Sequence, residues 1–371
     1  MEIAIIGGGI TGLTTAIALN RKGIRSTVYE SAPELNEIGA GVWLQPNAVR
    51  VMDVLGMKEK IIENGAVIRK MEITNNQLIP FKEIKAETVQ DEFGNSTIAI
   101  HRGRLQKILF DEVSGFSEIK INHQFESFNM VENKITLNFR GKTAEADLIL
   151  GCDGIHSQVR KQLFPNSELR DSNQICWRGI AKIELPQQLK ELGKECWGKQ
   201  IRFGFSEVAP GTVYWFGVAN KNENTSNLKL SDLPDFFSNY HSIVPEIIRN
   251  TENIHTGNLC DLKRLASWSA DSVYLLGDAA HATTPNMGQG ACQGIEDAFH
   301  FSNSFSESNP KQSFQNFESK RRKKVDYIVN NSWRFGKMAH SKIGQSFMKV
   351  MMKTTPQSVL DKTMRKLYSV D

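Results

Sequence analysis

Ile3-Ala4-Ile5-Ile6-Gly7-Gly8-Gly9-Ile10-Thr11-Gly12 opens the chain and decides its fold. The four apolar residues read as a strand buried on both faces, because a half-exposed strand would alternate with polar residues. Thr11 to Lys22 then spaces Leu13, Ala16 and Ile17 as a helix does, and Gly23 stops it. Thr27-Val28-Tyr29-Glu30 reads as a second strand. Strand, turn, helix and strand make a βαβ unit, which starts a parallel sheet. Gly7, Gly9 and Gly12 satisfy G-x-G-x-x-G in the context that pattern requires. Glycine there permits the tight turn and lets backbone N–H groups approach a pyrophosphate at the positive end of the helix. Glu30 ends the second strand, where a carboxylate accepts hydrogen bonds from ribose hydroxyls and disfavours a 2′-phosphate. The motif implies a dinucleotide and leaves FAD and NAD both open.

Working outward, the 371 residues are 40% hydrophobic and 23% charged, enough to bury a large core, which excludes wholesale disorder. At ~150 residues per domain, two or three domains are expected. There is no run of ~18 apolar residues, so no membrane-spanning helix is expected. No basic and apolar leader precedes the first strand, so no secretory signal is expected. The five cysteines (Cys152, Cys176, Cys196, Cys260 and Cys292) lie far apart and form no CxxC. That argues against a disulfide framework and a cysteine-built metal site, and for a reducing, cytoplasmic compartment. The net charge of +4 is uneven: residues 320–371 hold 13 Lys and Arg against 3 Asp and Glu, the rest 32 against 38. Only the tail is basic, so global charge points to no nucleic-acid partner.

Further along, Asp147-Leu148-Ile149-Leu150 runs as a strand into Gly151-Cys152-Asp153-Gly154, an Asp-Gly turn. From about 167 to 258 the flavour changes. Ile201-Arg202-Phe203-Gly204-Phe205 and Val213-Tyr214-Trp215-Phe216 alternate around Ala209-Pro210-Gly211, which predicts a β-hairpin. Arg202 and Tyr214 share a face of it if the connection has an odd length. Val273-Tyr274-Leu275-Leu276 then delivers Gly277-Asp278 at a strand's carboxyl end, where open parallel sheets bind ligands. Gly288-Gln289-Gly290 opens a helix whose free N–H groups favour negative charge. Helical patterns fill 288–371, and no internal repeat or linker occurs.

The three clusters in this order resemble the FAD-dependent aromatic hydroxylases, single-component flavoprotein monooxygenases with the p-hydroxybenzoate hydroxylase fold, over nearly the whole chain. Cys176-Trp177-Arg178-Gly179 and Thr284-Pro285-Asn286-Met287-Gly288-Gln289-Gly290 look closest to the subgroup of salicylate, 6-hydroxynicotinate and urate hydroxylases and zeaxanthin epoxidase. Many relatives carry Asn where this chain has Cys292, a departure from phenol hydroxylases in particular. The resemblance implies an α/β fold: a GxGxxG FAD-binding domain with a parallel sheet, interleaved with a β-rich substrate domain and ending in C-terminal helices. The expected boundaries are 1–66, 99–166 and 259–320 for the flavin domain, 67–98 and 167–258 for the substrate domain, and 321–371 for the helices. It further implies that Gly7, Gly9, Gly12 and Glu30 hold the ADP half of FAD. Arg102 and Gln106 also contact the cofactor, Asp153 serves FAD and NAD(P)H, and Asp278 meets the ribityl chain. Pro285, Gly288, Gln289 and Gly290 lie beside the isoalloxazine.

By the same resemblance the protein uses NADH or NADPH as a transient reductant and O2 to hydroxylate a small electron-rich aromatic or heteroaromatic compound through a flavin C4a-hydroperoxide. Only one dinucleotide fingerprint is present, so the reductant docks without a domain of its own. Alternatives are epoxidation, oxidative inactivation of a polycyclic antibiotic, and a flavin-bound sensor or scaffold without turnover. A monomer or homodimer is expected.

Arg202 is a candidate to hold an anionic or enolate substrate and Tyr214 to hydrogen-bond or stack on its ring. Their twelve-residue spacing resembles the urate-hydroxylase branch. An exposed Arg and an ordinary strand Tyr are the plainer reading. His281 is expected to be structural. Lys320-Arg321-Arg322-Lys323-Lys324 is expected to be a solvated helical face. Phe347, Met348, Val350, Met351 and Met352 are expected to pack on the protein's own domains, with a membrane surface or the substrate entrance as the alternatives.

Overall fold

The computed structural model describes residues 1–34, 40–85, 94–131 and 134–370. Residues 86–93, within the expected substrate domain, and Asp371, at the end of the expected C-terminal helices, lie outside the described residues. Strand Ile3–Ile6 sits at the centre of a six-stranded sheet and is buried throughout. The sheet order is 269–270, 273–275, 148–151, 3–6, 27–29, 119–120, and every pairing is parallel except that of the 269–270 edge. Parallel strands send all their carboxyl ends to one edge. Gly7, Glu30, Asp153 and Asp278 each follow a strand of this sheet within three residues, so they gather on that edge. Helix Ile10–Asn20 buries Leu13, Ala16, Ile17 and Leu19 against the sheet and against helix Gly290–Ser304.

A seven-stranded, mostly antiparallel sheet makes the second layer, in the order 251–262, 169–182, 212–220, 201–209, 192–197, 70–75, 80–85. The expected hairpin is Ile201–Ala209 with Thr212–Asn220. Its register pairs Phe203 with Gly217 and Phe205 with Trp215, so one face carries Phe203, Phe205 and Trp215 into a core with Phe237 and Val244. The opposite face carries Arg202, Ser206, Tyr214 and Phe216. Strand 169–182 adds Cys176, Arg178 and Ile180 to that face, because they pair with Val218, Phe216 and Tyr214.

Helix Pro310–Ala339 begins with Asn309, whose side chain accepts the Gln312 amide, and with Pro310 in its first turn. It buries Phe314, Phe317, Arg321, Val325, Ile328, Ser332 and Gly336, one stripe at helical spacing. Helices Lys342–Thr354 and Gln357–Tyr368 follow. Among the described residues, no helix is long and apolar enough to cross a membrane.

Candidate active site

At the glycine turn, Gly7 has φ +109°, and a Cβ on it would lie 2.5 Å from the Cys152 carbonyl oxygen. A Cβ on Gly12 would lie 1.9 Å from the Gly7 carbonyl oxygen, so the helix start can approach the strand only as glycine. Gly9 is different: nothing lies within 4 Å of where its Cβ would be. It is the N-cap of helix Ile10–Asn20 and offers no side-chain acceptor, so the helix's first amides face open space. Glu30 accepts the Gly8 amide at 2.7 Å and the Ala32 amide at 2.8 Å. Gln106 donates to the Gly8 carbonyl at 2.7 Å and so braces the turn from helix Arg102–Ser114. The Arg102 side chain is exposed and makes no hydrogen bond or ion pair to the described residues.

Asp153 first serves the fold. One carboxylate oxygen accepts the amides of Gln158 and Val159 at 2.7 and 3.2 Å, beside the Ser157 cap of helix Gln158–Leu163. The other oxygen is buried without a partner, and burial raises the carboxyl above its ordinary range. Asp278 follows Gly277, which has φ +59°. Its carboxylate makes no hydrogen bond to the described residues, and burial pushes it upward against the charges of His281 and Arg102. A Cβ on Gly290 would lie 3.9 Å from Asp278 Oδ1, so the carboxylate stands at the start of helix Gly290–Ser304. Pro285 opens the 285–287 turn, which Gly288 closes at φ +63°. Gln289 turns its side chain into the protein, between Gln45, Asn47 and Gln293, so only its backbone is left for a ligand. Thus one edge carries open helix amides and, among the described residues, two carboxylates with free oxygens and an unpaired arginine. That set fits a dinucleotide with hydroxyl-bearing sugar groups, and no Cβ fills the space beside Gly9.

The Arg202 guanidinium is 2% exposed, binds Glu195 at 3.1 Å, reaches the Asn286 side-chain oxygen and lies over the Phe335 ring. The plainer reading of an exposed Arg is therefore overturned. Arg202 ties the seven-stranded sheet to the turn that Pro285 opens. Tyr214 shares the face of Arg202, as expected, but it sits four residues away in register, opposite Ser206. It packs over Gly41, where a Cβ would lie 2.4 Å from Tyr214 Cγ, and burial pushes its phenol far up. Trp43 donates to Ser206 at 2.9 Å beside it.

Arg178 lies in the Cys176-Trp177-Arg178-Gly179 stretch, but the sequence assigns it no site role. It has no hydrogen bond or ion pair to the described residues, its Nε is buried without a partner, and its charge acts on Tyr214 and Cys176. That stretch points to a subgroup and not to a site; the register of Arg178 opposite Phe216 sets it on the face of Tyr214.

His281 is structural, as expected: its Nε2 lies 2.6 Å from Asp297, which is also held by Arg321 at 2.8 Å. The basic run, however, is no solvated face. Arg321 is 2% exposed and binds Glu296, Asp297 and Gln293, and Lys324 binds Glu296 and the Ser369 carbonyl. Arg322 stacks on Trp268 and pairs with Glu318, which leaves only Lys320 and Lys323 in water. In the C-terminal segment Met348 packs against the body with Trp197 and Met352, whereas Phe347, Val350 and Met351 do not.

The FAD binding domain family matches residues 1–332. The chain belongs to the FAD-dependent aromatic hydroxylase family. It is 31% identical to aurachin C monooxygenase/isomerase of Stigmatella aurantiaca, over 91% of this chain and 89% of that one. It is 30% identical to 3-hydroxybenzoate 6-hydroxylase 1 of Aquipseudomonas alcaligenes, over 80% and 78%. The fold matches Klebsiella pneumoniae HpxO, solved with FAD and uric acid, with a TM-score of 0.90 at 23% identity, over 99% of this chain and 96% of that one. The protein is a flavoprotein monooxygenase that uses FAD, with NADH or NADPH as reductant.

Proposed function

We propose that the protein hydroxylates a small aromatic or heteroaromatic ring that carries a carboxylate or enolate, with O2 as the oxygen source. The observation that carries this reading is the unpartnered Arg178 guanidinium on the sheet face shared with Tyr214. An arginine without a counter-ion in a half-buried site favours an anionic ligand. One relative is named for 3-hydroxybenzoate, which has that chemistry.

In this reading the flavin domain is 1–66, 99–166 and 259–320, and the substrate domain is 67–98 and 167–258. Bound FAD supplies the electrons and activates oxygen. The chain's residues do the rest. Gly9 and the following amides bind the diphosphate, Glu30 the ribose and Asp278 the ribityl hydroxyls, while Arg102 neutralises charge beside Asp278. Arg202 holds the Pro285 turn through Asn286, and so fixes the distance between ring and sheet. Arg178 orients the substrate anion. Tyr214, its phenol kept neutral by burial, donates a hydrogen bond or stacks, and Trp43, Ile180 and Phe216 keep water out. Five free thiols support a reducing, cytoplasmic setting.

The test is absorbance of the purified protein for flavin, followed by NAD(P)H oxidation with a panel of hydroxybenzoates, purines and their uncharged esters or N-methyl analogues. Stimulation by the anions and not by the neutral analogues is expected. Equal stimulation by both would remove the anion from the reading, and a flavoprotein inert to every reductant would support the sensor alternative.

A further inference from the structure

Helix Lys342–Thr354 has two unlike sides. Gln345, Met348 and Met352 face the body, where Met348 and Met352 meet Trp197, Ile73 and Phe335. Ile343, Phe347, Val350 and Met351 are 87%, 55%, 60% and 46% exposed. At ~100° per residue these four lie within an arc of about 100°. Val359, in the next helix, is half exposed as well. Isolated exposed apolar residues are ordinary, but a contiguous stripe of large ones on one helix marks a surface that meets something.

The surrounding charge says what. Lys342 and Lys353 flank the stripe on one side, exposed and without ion pairs to the described residues. Lys362, Arg365 and Lys366 are exposed on the following helix. Between 335 and 370 the lone acidic residue is Asp361, which accepts from Gln357. A second copy of this chain would bring the same cations against these, whereas an anionic lipid surface complements them. Apolar residues between lysines, on a helix anchored by its other side, are the arrangement that lies in a membrane interface.

We propose that the exposed stripe of helix Lys342–Thr354 docks the protein on an anionic lipid bilayer, with Phe347, Val350 and Ile343 entering the headgroup region and Lys342 and Lys353 meeting lipid phosphates. The helix's inner side rests on Phe335 and Trp197, next to Arg202, so docking sets one end of the substrate face beside the bilayer. The docking does not depend on which ring the enzyme oxidises.

The experiment is co-sedimentation of the full-length flavoprotein with vesicles of phosphatidylcholine alone and of phosphatidylcholine with phosphatidylglycerol. Retention on the anionic vesicles that falls as salt rises is expected. The double substitution Phe347→Glu/Val350→Glu should lower retention by about tenfold or more, and Lys342→Gln/Lys353→Gln should lower it on the anionic vesicles alone. Both pairs lie at exposed positions, so flavin content and circular dichroism should match the parent and report that the fold is intact. The proposal is overturned if the parent stays in solution with both vesicles, or if the Glu pair with intact flavin is retained as well as the parent. A concentration-dependent dimer that the Glu pair disperses, without vesicle retention, would overturn it in favour of a second copy.

Discussion

Arg202 reaches the side-chain oxygen of Asn286, the residue after Pro285. A strand of the seven-stranded sheet thereby holds the turn expected beside the flavin ring. Its counter-ion Glu195 stays within the same sheet. Arg178, two strands away and on the same face, has no such ties.

The two arginines should therefore fail differently. Arg202→Ala leaves Glu195 without its cation and frees Asn286. Because Glu195 keeps partial exposure, the cost is about 2 kcal/mol of stability, below the ~3–5 expected for a fully buried pair. Its functional mark is uncoupling, measured as hydrogen peroxide released per NAD(P)H consumed. Arg178→Ala should keep stability and flavin content and raise KM for the anionic substrate about tenfold to a hundredfold. Equal uncoupling by both variants would remove the distinction.

Asp297 predicts the acid behaviour. Burial alone would raise its carboxyl, but the charges of His281 and Arg321 outweigh that and hold it well below the ordinary carboxylate range. A group depressed in the folded state stabilises the protein above its unfolded value of ~3.9, and the contribution is lost as pH falls below that. Asp297→Asn should cost about 3–5 kcal/mol at neutral pH, because Arg321 and Glu296 stay buried around the gap. Denaturant titrations at several pH values should show the loss shrinking below pH ~4.

What the sequence revealed follows the range of the interactions. Gly7, Gly9, Gly12, Glu30 and Asp278 are legible because strand ends, turns and helix starts are written within a few residues. By composition, Lys320 to Lys324 is only a run of charge, which hides Arg321. Read by period, Phe314, Phe317, Arg321, Val325 and Ile328 form one stripe, and an arginine within it demands buried acids. Arg178 is a different case. Its neighbours belong to strand Thr212–Asn220, more than thirty residues on, and no local pattern fixes that register. The apolar residues of helix Lys342–Thr354 are visible in sequence, but which stripe packs inward depends on Trp197 and Phe335.

Asp278 should give opposite signs with and without cofactor. Burial raises its carboxyl in the folded chain, so relative to the unfolded value of ~3.9 the protein loses stability as pH rises through the folded value. In flavin-free protein at neutral pH, Asp278→Asn should then raise the melting temperature. In the same variant, FAD binding measured by fluorescence titration should weaken by about tenfold, since a charged acceptor for the ribityl hydroxyls is gone. A variant that gains nothing without FAD would show that the carboxylate is solvated by the open edge.

Gly9 and Gly12 separate cradle from scaffold. Gly12→Ala sets a methyl group 1.9 Å from the Gly7 carbonyl oxygen, so the strand and helix must part and the flavin-free protein should lose several kcal/mol. Gly9→Ala meets nothing within 4 Å, and the backbone there, at φ −78°, suits alanine. Its flavin-free melting temperature should stay within about a degree of the parent or rise slightly, as a less flexible unfolded chain dictates. The methyl group then projects into the space where the helix amides meet a diphosphate, and FAD affinity should fall about tenfold or more. Fluorescence titration of the two variants with FAD, and of Gly9→Ala with ADP alone, checks this. If Gly9→Ala binds both as the parent does, the open space beside Gly9 is not where the diphosphate rests.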